Sequence, residues 1–170
     1  MERSAPDLAR NGRTQHEYDV VWAYRVFGAA RRSPAQLREL QDETHGFTGF
    51  VPFAFVPQTT ELAYIPPASA LDQLKTLAVS RIYLDNFDHI TGYWIAMSLP
   101  LAQVSLSYGV DDLHGTLMEE KIFHMAGATT PQEQTVASLE RTIREAHREP
   151  VQRDSYYLPI RPRERAAMTA

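Results

Sequence analysis

Glu119, Glu120 and His124 lie within one stretch, YGVDDLHGTLMEEKIFHMAG, which runs from Tyr108 to Gly127. On a helix, Glu120 and His124 stand four residues apart, so a carboxylate and an imidazole share one face on successive turns. Such a pair can contribute to a metal site only if further ligands come from elsewhere in the fold; otherwise it is an ordinary surface pair. Just upstream, Asp111 and Asp112 occupy the place where a strand gives way to a helix. A carboxylate there caps the free backbone N–H groups of the helix or binds the hydroxyls of a substrate, and two neighbours can divide these tasks.

Gln58, Thr59, Thr60 and Glu61 follow the apolar run FTGFVPFAFV and offer hydrogen-bonding groups to a polar substrate or a ribose. The bland alternative is a solvated loop. The pair Tyr93-Trp94 belongs to the segment HITGYWIAM, read as a strand; side chains alternate along a strand, so one of the two, with Tyr93 as the candidate, faces the interior. His89 and His114 read as turn residues. The sequence contains no GxSxG, P-loop or HExxH motif and no carboxylate pattern specific for glycosidases.

The elements that position these groups alternate between strand and helix. AQLRELQDET (35–44) reads as a helix stopped near His45-Gly46, and 47–56 as a strand covered on both faces, with Pro52 arguing against a fully paired central position. PQTTELAYIPP is a loop. Ser69 caps a helix over 70–85 whose apolar side is read as Leu71, Leu74, Ala78 and Ile82, with Val79 and Tyr83 beside it. Next come the strand 89–97, a short helix in LPLAQVSLSYG, a brief strand at 109–112, and helices over 116–125 and 135–148. PVQRDSYY is expected to pack back on the domain as an extended segment, and RPRERAAMTA to be a flexible tail. Repeated strand-helix units imply a parallel sheet with right-handed crossovers, and ligands then gather at the C-terminal strand ends, near 55–60, 97–98 and 111–112.

A chain of 170 residues suits one domain but is shorter than the roughly 250 of a complete eight-stranded α/β barrel. With 44% hydrophobic residues and a net charge of -4, nothing points to a nucleic-acid partner. No apolar run approaches the roughly 20 residues of a membrane span, and MERSAPDLARNGR has no signal-peptide core, so a cytoplasmic location is expected. The sequence has no cysteine, which excludes disulfides, a thiol nucleophile and the thiolate ligation of an iron-sulfur cluster by this chain.

The motif GxDDLxGTxxEEKIxHMAG, together with FVPFAF, LAVSRIYLDNFDHITGYW and LRELQDETHGF, resembles the C-terminal half of aminofutalosine synthase, a radical S-adenosylmethionine enzyme of the futalosine route to menaquinone. The resemblance runs from about Gln36 to Tyr157. It implies an α/β fold: the C-terminal part of a TIM-like barrel plus a helical C-terminal cap. The family cleaves S-adenosylmethionine with a 4Fe-4S cluster and adds the 5'-deoxyadenosyl radical to 3-(1-carboxyvinyloxy)benzoate. The CxxxCxxC loop that holds the cluster lies in the family's N-terminal half, so no cluster ligand transfers to this chain. Gln58, Thr59, Glu61, Tyr93, Asp111 and Asp112 become the candidates for contact with substrate or S-adenosylmethionine.

The implied partner is the missing N-terminal barrel half, and the chain alone is expected to be inactive and poorly folded, because a half-barrel leaves open sheet edges. Related radical enzymes, the later cyclase of the same pathway and the second subunit of the deazaflavin FO synthase, are alternatives; so is a non-catalytic barrel-half module. HMAGATTP and GYW look closer to aminofutalosine synthase. Residues 1–35 resemble nothing in the family. Codons exist whose shift by one base over Gln15–Pro34 reads NTNTMLYGHIESSEQRVDHL, which resembles the segment before LRELQDE, so this region is expected to be frameshifted and poorly ordered; at face value, YDVVWAY is an edge strand or a helix start.

Overall fold

The structure, a computed structural model, describes residues 18–24, 32–59, 61, 63–117, 121–125, 127, 129–131 and 133–160. Three strands, β1 (Tyr18–Tyr24), β2 (Phe47–Ala54) and β3 (His89–Ile90), form a parallel sheet whose spatial order follows the chain order, β1-β2-β3. A single parallel bridge, Thr91 to Asp112, continues the sheet one position beyond β3. The α/β class is therefore as expected, while the described strands form an open sheet rather than a closed barrel.

β1 falls in the segment expected to stand outside the family and forms the edge strand, in register from Asp19 against Gly49 to Tyr24 against Ala54. Helix α1 (Arg32–Thr44) follows it and ends where His45 adopts a positive φ of 46°. The Gln41 side chain then acts as a bracket between helix and strand: its amide donates to Phe47 O and accepts from Phe47 N, both at 2.9 Å.

Pro52 sits in the central strand without a lost bond. Thr91 N donates to Phe50 O, so Phe50, and with it Pro52 two residues on, turns its backbone groups towards β3. The β3 pairing stops at Ile90, and no ladder partner faces the missing N–H.

Helix α2 (Ala70–Tyr83) starts at a reciprocal capping box: Ser69 Oγ accepts from Asp72 N and the Asp72 carboxylate accepts from Ser69 N. Its buried face is Leu74, Thr76, Leu77 and Ser80. This corrects the expected face, because Leu71 is 57% and Ile82 78% exposed. Thr76 is tolerated inside because its hydroxyl donates to Asp72 O at 2.8 Å.

The expected strand 89–97 is strand only at its start. Past Thr91 the chain turns at Gly92 into the one-turn helix α3 (Trp94–Met97), and Ser98, at φ 76°, separates this from α4 (Leu99–Ser105), which has Pro100 in its first turn. A Cβ on Gly92 would lie 2.7 Å from Ser105 Oγ and 3.1 Å from Val110 Cγ1, so only glycine lets β3 approach α4 this closely. The brief strand expected at 109–112 is the single bridge at Asp112. Thr116 and Leu117 are not helical; the described helix there is α5 (Ile122–Met125), followed by α6 (Val136–Glu145) with Thr135 as its N-cap. The strap 150–160 folds back as expected, closed by an antiparallel bridge between Arg153 and Pro159, while residues 161–170 of the expected tail lie outside the described residues.

The core gathers Phe50, Leu77, Leu84, Phe87, Ile90, Trp94 and Ile95. Burial of each large side chain contributes about 1.5–3 kcal/mol. Among the described residues, no helix is long and apolar enough to cross a membrane.

Candidate functional site

Pairing of Gly49 with His89 and of Phe50 with Ile90 sorts the sheet into two faces. Phe50, Ile90 and Gly92 turn towards the helices. Val51, Phe53, His89 and Thr91 turn the other way, where the segments after Asp112 cover them.

At the C-terminal end of that second face stands an aromatic group. The Phe53 ring lies 4.9 Å from Tyr93 and 5.1 Å, edge-on, from Phe123; Tyr93 in turn lies 5.1 Å from His114. Tyr93 and Trp94 are both buried, and the alternation expected along a strand does not apply, because Tyr93 is the N-cap of α3 and Trp94 opens it. Trp94 is fully buried and donates its Nε1–H to Gly115 O at 2.9 Å.

Lower on the same face, Asp112 collects four hydrogen bonds. Arg153 donates from Nε to Oδ1 at 3.0 Å and from Nη2 to Oδ2 at 2.9 Å; Thr91 Oγ1 and His114 N donate to Oδ2 at 3.0 and 2.9 Å. Asp111 ion-pairs with Arg81, meets His89 Nδ1 at 2.6 Å and accepts from Ile90 N at 2.7 Å. The helix-cap role expected of these aspartates is overturned: residues 113–117 form no helix, and the carboxylates are spent on pairs and on the turn. His89 is no turn residue either; it opens β3, and its ring stacks on Tyr157 at 3.9 Å.

The loop after β2 goes elsewhere. Thr59 Oγ1 donates to Met125 O at 2.5 Å, and Glu61 is exposed. Gln58 lines a cavity of about 250 Å³ beyond the C-terminal end of β2, together with Ala54, Val56, Ile95, Met97, Ser98 and Thr130. The three expected strand-end loops therefore do not share one rim. Residues 55–58 and 97–98 meet at this cavity, whereas Asp111 and Asp112 border a second one of about 570 Å³, between α6 and the strap. Thr60, Glu119 and Glu120 lie outside the described residues. His124 bonds through Nε2 to Thr130 O at 2.7 Å, and among the described residues no group of three or more His, Cys, Asp and Glu could hold a metal ion.

Arg153 and Tyr157 escaped the sequence reading as individual residues. No periodicity or motif marks them, and their roles depend on segments distant in the chain, as for Arg153 and Asp112, separated by 41 positions.

The chain is 52% identical over 130 residues to aminodeoxyfutalosine synthase of Thermus thermophilus, covering 74% of this chain and 35% of that protein. It is 49% identical over 96 residues to 5-amino-6-(D-ribitylamino)uracil–L-tyrosine 4-hydroxyphenyl transferase of Methanoculleus marisnigri, covering 54% and 26%. It is 35% identical over 121 residues to cyclic dehypoxanthine futalosine synthase of Streptomyces coelicolor, covering 71% and 30%. The chain thus spans about a third of the length of the relatives it matches. Residues 44–165 match the family described as the CofH/MqnC C-terminal region, and with most of its length so matched the chain belongs to that family.

Proposed function

We propose that this chain is the C-terminal, substrate-side part of a radical S-adenosylmethionine enzyme of the aminodeoxyfutalosine synthase type, working in the cytoplasm as part of an α/β barrel completed by a cysteine-bearing N-terminal portion. The observation that carries this reading is the 52% identity to the synthase over 74% of the chain. A parallel sheet whose order follows the chain is in keeping with a barrel segment.

The cluster itself does not fit this chain. Thiolates normally hold such clusters, and none of the 170 residues is a cysteine. No step of the radical chemistry is therefore assigned to these residues. Their part is to form walls: Phe53 and Tyr93 as an aromatic surface, Gln58 and its neighbours as neutral hydrogen-bonding groups.

The test is complementation. The full chain is co-expressed with the portion of the Thermus thermophilus synthase that precedes the matched region. The complex receives S-adenosylmethionine, a reductant and 3-(1-carboxyvinyloxy)benzoate. Aminodeoxyfutalosine should form with both parts and with neither alone. Turnover of S-adenosylmethionine by this chain alone, or a complex that makes only the product of one of the other two relatives, would overturn the reading.

A further inference from the structure

We infer that the strap 150–160 is an interaction surface: its outward side packs against the inner, apolar face of the N-terminal barrel portion, at the end of the strands away from the ligands. The identity of that partner rests on the functional reading above.

The strap is anchored on one side and apolar on the other. Both of its charged residues turn back on the chain. Arg153 pairs with Asp112, while Asp154 Oδ1 accepts from Tyr156 N at 2.8 Å and from Leu158 N at 3.0 Å. Asp154 N donates to Leu158 O at 3.0 Å and Ile160 N to Gln152 O at 2.8 Å, which closes the strap into a preformed hairpin. The Tyr157 ring lies on His89. Turned outward are Val151, Tyr156, Leu158 and Ile160, which are 64, 52, 61 and 45% exposed. Water favours charged side chains on such a hairpin, so four large apolar ones on a fixed backbone mark a surface built to be covered.

Its position selects the occupant. The strap lies on the face of the sheet turned away from the helices, which is the inside of a barrel. Tyr157 stands over His89, the first residue of β3, so the strap covers the N-terminal end of that strand, whereas barrel ligands gather at the C-terminal ends. Across a closed barrel, this side meets the inward side chains of the remaining strands, which are mostly bulky and apolar. The relatives, of which the chain spans about a third, are long enough to supply those strands. Val151 extends the surface into the cavity between α6 and the strap, whose floor is Leu106, Leu113 and Leu139, so ridge and cleft form one continuous apolar seat.

The test titrates the full chain with the portion of the Thermus thermophilus synthase that precedes the matched region, followed by analytical ultracentrifugation. One variant carries Tyr156→Ser with Leu158→Asn. A comparison variant carries Leu71→Asn with Ile82→Asn, at exposed apolar positions of α2 on the helix side of the sheet. Circular dichroism and urea melts check that each is folded, and Ile160→Ser alone stands in if the strap pair is not. The wild type should associate one to one, about tenfold more tightly than the strap variant and several-fold more tightly than Ile160→Ser, with the α2 variant within about twofold of wild type. Unchanged affinity in the folded strap variant, or an equal loss in the α2 variant, would overturn the inference. So would self-association of the wild type that the strap variant abolishes, which would make a second copy the occupant. Product formation together with unweakened association of the strap variant would sink this inference alone. A complex that the strap variant breaks but that makes no product would sink the functional reading alone, and no association of the wild type would sink both.

Discussion

Arg153 and Asp112 form a bidentate ion pair that ties the C-terminal strap to the sheet, with the two side chains 21% and 12% exposed. The same guanidinium lies 4.0 Å from the centroid of the Tyr157 ring, on which the His89 ring stacks. Asp112 also holds Thr91 and the His114 turn, so one carboxylate joins β3, the turn that accepts Trp94 and the strap.

Replacing Arg153 should show how much this junction holds. Arg153→Met leaves a largely buried carboxylate without its charge partner and should lower stability by about 2–3 kcal/mol in urea melts. Arg153→Lys keeps the charge but loses the fork and the flat contact with Tyr157, so roughly half of that loss should remain. Equal losses for Met and Lys would mean that geometry, not charge, carries the pair.

Gly109 and Gly115 separate backbone strain from crowding. Both have positive φ, 90° and 103°, but a Cβ at Gly109 would stand 2.7 Å from Arg81 Cβ and Cγ, whereas no described residue lies within 4 Å at Gly115. Gly115→Ala should cost about 1–2 kcal/mol from the left-handed conformation alone. Gly109→Ala should cost about 1–3 kcal/mol more by pushing Arg81 off Gly109 O and Asp111. Matching melting temperatures for the two variants would rule out the crowding.

Trp94→Phe keeps most of the buried ring but orphans Gly115 O. A loss of about 1–3 kcal/mol is expected, read by circular dichroism. An unchanged midpoint would mean that water reaches that carbonyl.

The capping box on α2 predicts a dependence on pH. The Ser69 hydroxyl bond is the main cause that holds the Asp72 carboxyl below its ordinary value of 3.8. A depressed acid stabilises the fold above its unfolded value and loses that contribution as pH falls through the folded one. The melting-temperature gap between the wild type and Asp72→Asn should therefore be constant near neutrality and close below about pH 3.8. A gap that persists far below that range would contradict the carboxylate's part.

Local rules were readable where the chain bonds to itself. The Ser69 cap, the end of α1 at His45-Gly46 and the short helix with Pro100 follow from side chains acting on backbone groups a few residues away. The face of α2 was not readable, because Leu71, Ala78 and Ile82 form as good a stripe as Leu74 and Leu77, and only the position of the sheet chooses between them. Likewise HITGYWIAM has strand-like residues throughout, yet the contact of Gly92 with α4 ends the strand after Thr91.

The sequence by itself determined the family, through motifs that keep their order from Gln36 to Tyr157, and the absence of cluster ligands, which is a matter of composition. It also put Gln58, Tyr93, Asp111 and Asp112 forward as groups of interest. Only the tertiary structure decided what they touch: Tyr93 meets Phe53, Gln58 a cavity beyond β2, Asp111 takes Arg81 and His89, and Asp112 takes Arg153. The physical reason is range. Caps and turns are bonds across three or four residues and are written in neighbouring letters, whereas an ion pair across 41 positions exists only after packing has set two distant backbones side by side.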